Sequence, residues 1–118
     1  MIVGVGVDLV DMSRFEHKLA STPALIEKIF HQDEREAPTR TLAGRFAAKE
    51  ALVKAFGGSA GMHWHEVIVG KNELGAPMFS LSGSTALVAI EKGIHKLHLS
   101  ISHDGDFAIA YVIAEGGA

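Results

Sequence analysis

The chain has 118 residues, enough for one modest core and too few for two domains. Hydrophobic residues make up 47 % and the formal net charge is −3, which excludes a disordered chain and lacks the basic balance of a nucleic-acid-binding domain. There is no cysteine, so disulfide frameworks and thiolate chemistry are excluded.

Residues 2 to 10 open the chain as an alternating strand, with Val3, Val5, Val7 and Leu9 on one face and Gly4, Gly6 and Asp8 on the other. This apolar start lacks a basic leader and Asp8 interrupts it, so it does not read as a signal peptide. No run is long enough to span a bilayer, and the chain reads as cytoplasmic with no membrane partner. A first helix is predicted near Ser13, which has capping-box spacing to Glu16. A second is predicted from Thr22-Pro23 to about Phe30. Residues 31 to 41 are polar, contain Pro38 and read as a loop with room for a short helical turn. Thr41 to Phe56 is the clearest helix, with Leu42, Phe46, Val53 and Phe56 as an apolar stripe and Ala47, Ala48, Ala51 and Ala55 opposite. Gly57-Gly58 closes it.

Trp64 to Val69 and Met78 to Leu81 read as strands joined by a turn at Asn72 to Gly75, with Pro77 at the start of the second. A short helix over Ser84 to Lys92 ends at Gly93. Leu97 to His103 and Phe107 to Ala114 complete a hairpin across Asp104-Gly105, and the tail Gly116-Gly117-Ala118 reads as loose. The order β-α-α-α-β-β-α-β-β predicts a single α+β domain over residues 1–118, an antiparallel sheet packed with a long central helix.

Three places can carry chemistry. Asp8 lies beside side-chain-free Gly4 and Gly6, on a strand face that a ligand or another backbone can approach; it either caps a turn or holds a hard cation. Lys49 and Glu50 fall in or beside the apolar stripe of a helix packed on most of its circumference, where charges need partners or a metal. Lys54 lies one turn beyond Glu50, and the simplest reading of the two is an ordinary helical ion pair. His103 ends an apolar strand face, where it either orients a phosphate, transfers protons or closes a hairpin corner. His63 and His65 are too few ligands for zinc, and no cysteine can add to them. The glycine-containing stretches at residues 4–9 and 57–61 fail the context of nucleotide-binding loops.

Gly4-Val5-Gly6-Val7-Asp8-Leu9-Val10 followed by Arg14, Phe46-Ala47-Ala48-Lys49-Glu50-Ala51-Leu52-Val53-Lys54, and Leu99-Ser100-Ile101-Ser102-His103-Asp104 together resemble the motifs of the holo-acyl-carrier-protein synthases. Order, spacing and length agree over nearly the whole chain; residues 31 to 40 are the least similar. The resemblance implies a phosphopantetheinyl transferase fold and a magnesium-dependent transferase of fatty acid biosynthesis. Such an enzyme moves 4′-phosphopantetheine from coenzyme A to a serine of an acyl carrier protein or carrier domain and releases adenosine 3′,5′-bisphosphate. It implies Asp8 and Glu50 as metal ligands and Glu50, Lys54 and His103 as catalytic residues. It implies coenzyme A contacts from Arg45, Lys49, Lys54, Gly57, Pro77, Ser102 and His103, and carrier contacts from Arg14 and Lys18, with Lys28 as a third. The base for the serine proton stays open between a metal-bound water, Glu50, His103 and Asp104, and manganese stays open beside magnesium. A non-catalytic coenzyme A-binding module and a coenzyme A pyrophosphate hydrolase are the alternative functions. The resemblance also implies a homotrimer; residues 107 to 113 are apolar on both faces, and one helix can cover only one of them.

Overall fold

The computed structural model describes residues 1–117; Ala118, part of the expected loose tail, lies outside the described residues. Strand β1 (Ile2–Asp11) pairs antiparallel with β5 (Phe107–Gly116), which pairs on its other edge with β4 (Ile94–Asp104), giving the order β1-β5-β4. The β4–β5 connection is the two-residue turn Gly105-Asp106, with Gly105 at φ 55°, the conformation that a tight hairpin asks of glycine. Met12 then donates its N–H to the Asp106 carbonyl (2.7 Å), which ties this turn to the end of β1.

Helix α3 (Thr39–Phe56) lies across one face of that sheet. The contact is made almost wholly by small residues. Ala108, Ala110, Val112 and Ala114 of β5 are fully buried, as are Ala43, Ala47, Ala48 and Ala51 of α3. On β1 a Cβ at Gly4 would collide with the Ala55 carbonyl oxygen, and one at Gly6 with that of Ala51. The glycine face of β1 therefore faces the backbone of α3, and small side chains bring helix and sheet close together. Both expected sides of the helix are packed at least in part, since Leu42 and Phe56 of the stripe are buried too. The alanines form the core seam, whereas Phe46 and Val53 of the expected stripe are only half-buried.

A second group of elements packs partly against α3 and partly against strand β4. It comprises α1 (Met12–Ser21), α2 (Ala24–Ile29), a 3-10 turn (Gln32–Glu34), a second 3-10 turn (Trp64–Glu66), the hairpin β2 (Val67–Lys71) and β3 (Pro77–Leu81), and α4 (Gly83–Glu91). Several boundaries differ from expectation for local reasons. Asp11, not Ser13, caps α1, its Oδ1 accepting from the N–H groups of Ser13 and Arg14 (3.0 and 3.2 Å). Helix α3 starts directly after Pro38, whose carbonyl accepts from the Leu42 N–H, instead of at Thr41. Trp64 to Glu66 coils because Glu66 is drawn to α4: its carboxylate accepts from the N–H and hydroxyl groups of both Ser84 and Thr85. Those bonds, the Ser84 hydroxyl's first, hold its pKa down at about 2. Gly116 is not loose; it ends β5, and its N–H reaches the Met1 carbonyl (2.8 Å).

Candidate active site

The end of β1, helix α1, helix α2, the Trp64 turn and the middle of α3 enclose a groove of about 490 Å³. Asp8, Arg14, Lys18, Lys28 and Glu50 line it together with Phe15, Ile29, Phe46 and Trp64. Its floor is aromatic: Phe15 stacks on Phe46 at 5.3 Å between ring centroids, and Phe46 lies 6.0 Å from Trp64. Charge of both signs is thus set around an apolar trough.

The sequence places the acidic members by simple means. Asp8 follows Gly6 on the inward face of β1, where the close approach to α3 brings its carboxylate beside the helix. Lys54 donates to Asp8 Oδ1 (3.1 Å) and to the Val7 carbonyl (2.9 Å) while its side chain remains 54 % exposed. Glu50, one turn earlier on α3, has its pKa raised, first by burial and then by the charge of Asp8; Lys54 opposes the shift. Lys54 is therefore bonded to Asp8 and not engaged in a simple pair with Glu50. Glu50 and the nearby Asp8, with the partly exposed Lys54 ammonium beside them, are a fit for a hard divalent cation. No group of three or more His, Cys, Asp or Glu side chains suited to a metal occurs among the described residues, so such a cation would draw its other ligands from water or substrate.

Lys49, expected to contact coenzyme A, is engaged inside the protein. Its side chain is fully buried, and its ammonium donates to Glu34 Oε1 (2.6 Å), the Ile29 carbonyl (2.8 Å) and the Trp64 carbonyl (3.1 Å). An ammonium has three hydrogens, and all three are taken. Burial lowers its pKa against the opposing pull of Glu34. Glu34 is the residue that sequence reasoning missed. It lies in the segment least like the family motifs; the signal for it was the charge of Lys49 on a packed helix, which required a buried counter-charge.

The remaining expected contacts are spread out. Arg45 donates through Nη1 to the Glu34 carbonyl (2.9 Å). His103 does not join the Asp8–Glu50–Lys54 group within one chain. Its Nε2 contacts the Arg40 carbonyl (2.9 Å), and its ring lies against Gly44, six residues or about 9 Å of helix rise before Glu50. Ser102 points to the opposite face of the sheet from His103, as alternation requires. Gly57 (φ 82°) and Gly58 close α3 with paired bonds to the carbonyls of Lys54 and Val53. Pro77 opens β3, paired with Lys71 in the β2–β3 hairpin and absent from the groove lining.

Residues 4–112 match the family model of the 4′-phosphopantetheinyl transferase superfamily. The chain is 48 % identical over 118 residues to a holo-[acyl-carrier-protein] synthase of Clavibacter michiganensis subsp. michiganensis, covering all of this chain and 99 % of the relative. Among solved structures it resembles holo-ACP-synthase from Plasmodium yoelii (TM-score 0.87, 28 % identity, covering 100 % of this chain and 98 % of that one). It also resembles a holo-[acyl-carrier-protein] synthase from Helicobacter pylori in complex with coenzyme A (TM-score 0.83, 29 % identity, covering 94 % and 99 %).

Proposed function

The chain belongs to the 4′-phosphopantetheinyl transferase superfamily, among its holo-[acyl-carrier-protein] synthases, and from that premise we propose how its residues divide the work. The enzyme transfers 4′-phosphopantetheine from coenzyme A to an acyl carrier protein, a step of fatty acid biosynthesis. The carrier serine oxygen bonds to the β-phosphorus, the bond to the bridging pyrophosphate oxygen breaks, the serine proton passes to a base drawn from Glu50, His103, Asp104 or a bound water, and adenosine 3′,5′-bisphosphate leaves.

Asp8 and Glu50 would hold magnesium, or manganese, which when bound supplies charge neutralisation at the coenzyme A pyrophosphate. Lys54, partly exposed and already at Asp8, swings a short distance to stabilise charge on the departing phosphate. Arg14, Lys18 and Lys28 stand on the rim of the same groove and face the acidic surface of the carrier, while the aromatic floor receives its apolar side chains. Arg45, Gly57, Pro77, Ser102 and His103 are assigned to coenzyme A. Their dispersion over one chain is the reason to place them around a cleft between subunits of a cytoplasmic homotrimer.

The observation that carries this reading is the meeting of Asp8 and Glu50 in a groove rimmed by Arg14, Lys18 and Lys28, with Lys54 bonded to Asp8 beside it. Incubation with coenzyme A, magnesium and an apo carrier tests it by mass spectrometry. The carrier should gain the mass of phosphopantetheine. Bound coenzyme A without a mass gain would mark a binding module, and adenosine bisphosphate released without any carrier would mark a hydrolase.

A further inference from the structure

The groove has two sides that are separate in sequence. One consists of β1, α1 and α3, which carry Asp8, Arg14, Phe15, Phe46 and Glu50; the other consists of α2 and the Trp64 turn, which carry Lys28, Ile29 and Trp64. Behind them, at the back of α3, lies the buried Glu34–Lys49 pair.

Its bonds run to every segment of the second side. The Lys49 ammonium holds the carbonyl of Ile29, the last residue of α2, and the carbonyl of Trp64. Glu34 holds the 3-10 turn through the His31 N–H (2.9 Å at Oε1) and strand β2 through the Val69 N–H (3.0 Å at Oε2). Two side chains thus fasten four segments to the residue that directly precedes Glu50. Apolar packing would bury the same surface, but it tolerates sliding; hydrogen bonds to an enclosed charge hold distances within a few tenths of an ångström. Pairing a carboxylate with an ammonium in a core is a costly way to gain stability, so the precision of the arrangement is what it offers.

We propose that Glu34 and Lys49 are positioning residues: the pair fixes the wall formed by α2 and Trp64 against the helix bearing Glu50, and so sets the shape of the groove for the carrier. The last clause rests on the functional reading above; the fixing of the wall does not.

The chain has one tryptophan, and it sits on the wall in question, so groove geometry can be read without turnover. Lys49→Met keeps most of the volume and removes the charge; Glu34→Gln keeps an oxygen for Lys49 and is the milder change should Lys49→Met fail to fold. In a variant with intact circular dichroism, acrylamide quenching of Trp64 should increase about twofold. KM for the apo carrier should rise about tenfold, with KM for coenzyme A within about twofold of the parent. A purely structural pair would lower Tm and the active fraction while leaving both KM values and the quenching of folded protein unchanged. That result, or equal rises in both KM values, overturns the proposal. If the parent enzyme modifies no carrier, the functional reading fails separately, and Trp64 quenching alone decides whether the pair fixes the wall.

Discussion

Glu50 bears opposing demands. Its raised pKa means that ionising it in the folded chain is less favourable than in the unfolded chain, first through burial and then through Asp8. The sign follows from linkage: below the ordinary value of 4.5 both states are protonated and nothing is lost, and stability falls as pH rises through the higher folded value. Glu50→Gln should therefore raise the Tm of the metal-free protein at neutral pH, with the gain vanishing near pH 4, while transfer activity drops at least about a hundredfold. Added magnesium should raise the parent Tm and leave the variant's nearly unchanged, because only a ligand that binds the folded state shifts the equilibrium. A folded Glu50→Gln enzyme with near-normal turnover, or a lower Tm in the absence of metal, contradicts the assignment. Asp8, Glu50 and Lys54 were legible from the family motifs, and physics agreed that charges on a packed helix need a reason. The same logic asked for a partner of Lys49, which is Glu34, but local spacing shows that a charge needs a partner and not which distant segment supplies it.

Among the elements, α1 shows most directly how a sequence presents a surface. Phe15 and Leu19 are buried four residues apart, and the same helical period turns Arg14 and Lys18 toward the groove rim. Arg14→Glu should raise KM for the carrier at least about tenfold and leave KM for coenzyme A nearly unchanged. Salt should weaken the parent's carrier binding and have less effect on the variant's, because exposed charges are screened over about 8–10 Å at ordinary ionic strength. Equal changes in both KM values would place Arg14 elsewhere in the reaction. Element type and order were largely readable from periodicity and from glycine and proline punctuation. Which side of α3 meets the sheet was not, because the pattern put apolar residues on most of its circumference. The seam is chosen by how near two backbones must come, and Gly4 and Gly6 were the sign that they come very near. The coil at Trp64 was also hidden, since the pull on Glu66 comes from Ser84 and Thr85, eighteen and nineteen residues away.

The whole molecule leaves one face of its three-stranded sheet bare. Helix α3 covers the face of Ala108, Ala110 and Val112; on the other, Val5, Val7, Leu9, Phe107, Ile109 and Tyr111 remain 41–60 % exposed. Cross-strand pairing sets Val7 beside Tyr111 and Leu9 beside Ile109, so these side chains form one continuous apolar patch. The sequence foretold it through a last strand apolar on both faces. A second copy of the chain is the occupant the proposed function favours, with three copies closing the patch around an axis. Light scattering at micromolar concentration should then give three times the 12.6 kDa chain mass; a single-chain mass refutes assembly. Tyr111→Arg, set in the patch and away from the groove lining, should shift the mass toward the monomer without unfolding it. The site itself gives the sharper test. His103 and Ser102 lie apart from Asp8 and Glu50 in one chain, so a shared cleft must take them from a neighbour. Glu50→Gln and His103→Ala chains, each inactive alone, should regain part of the parent activity when co-expressed, because mixed trimers contain some clefts with both parent residues. Activity that stays at the level of the separate variants, in trimers shown to be mixed, means that each chain holds a complete site.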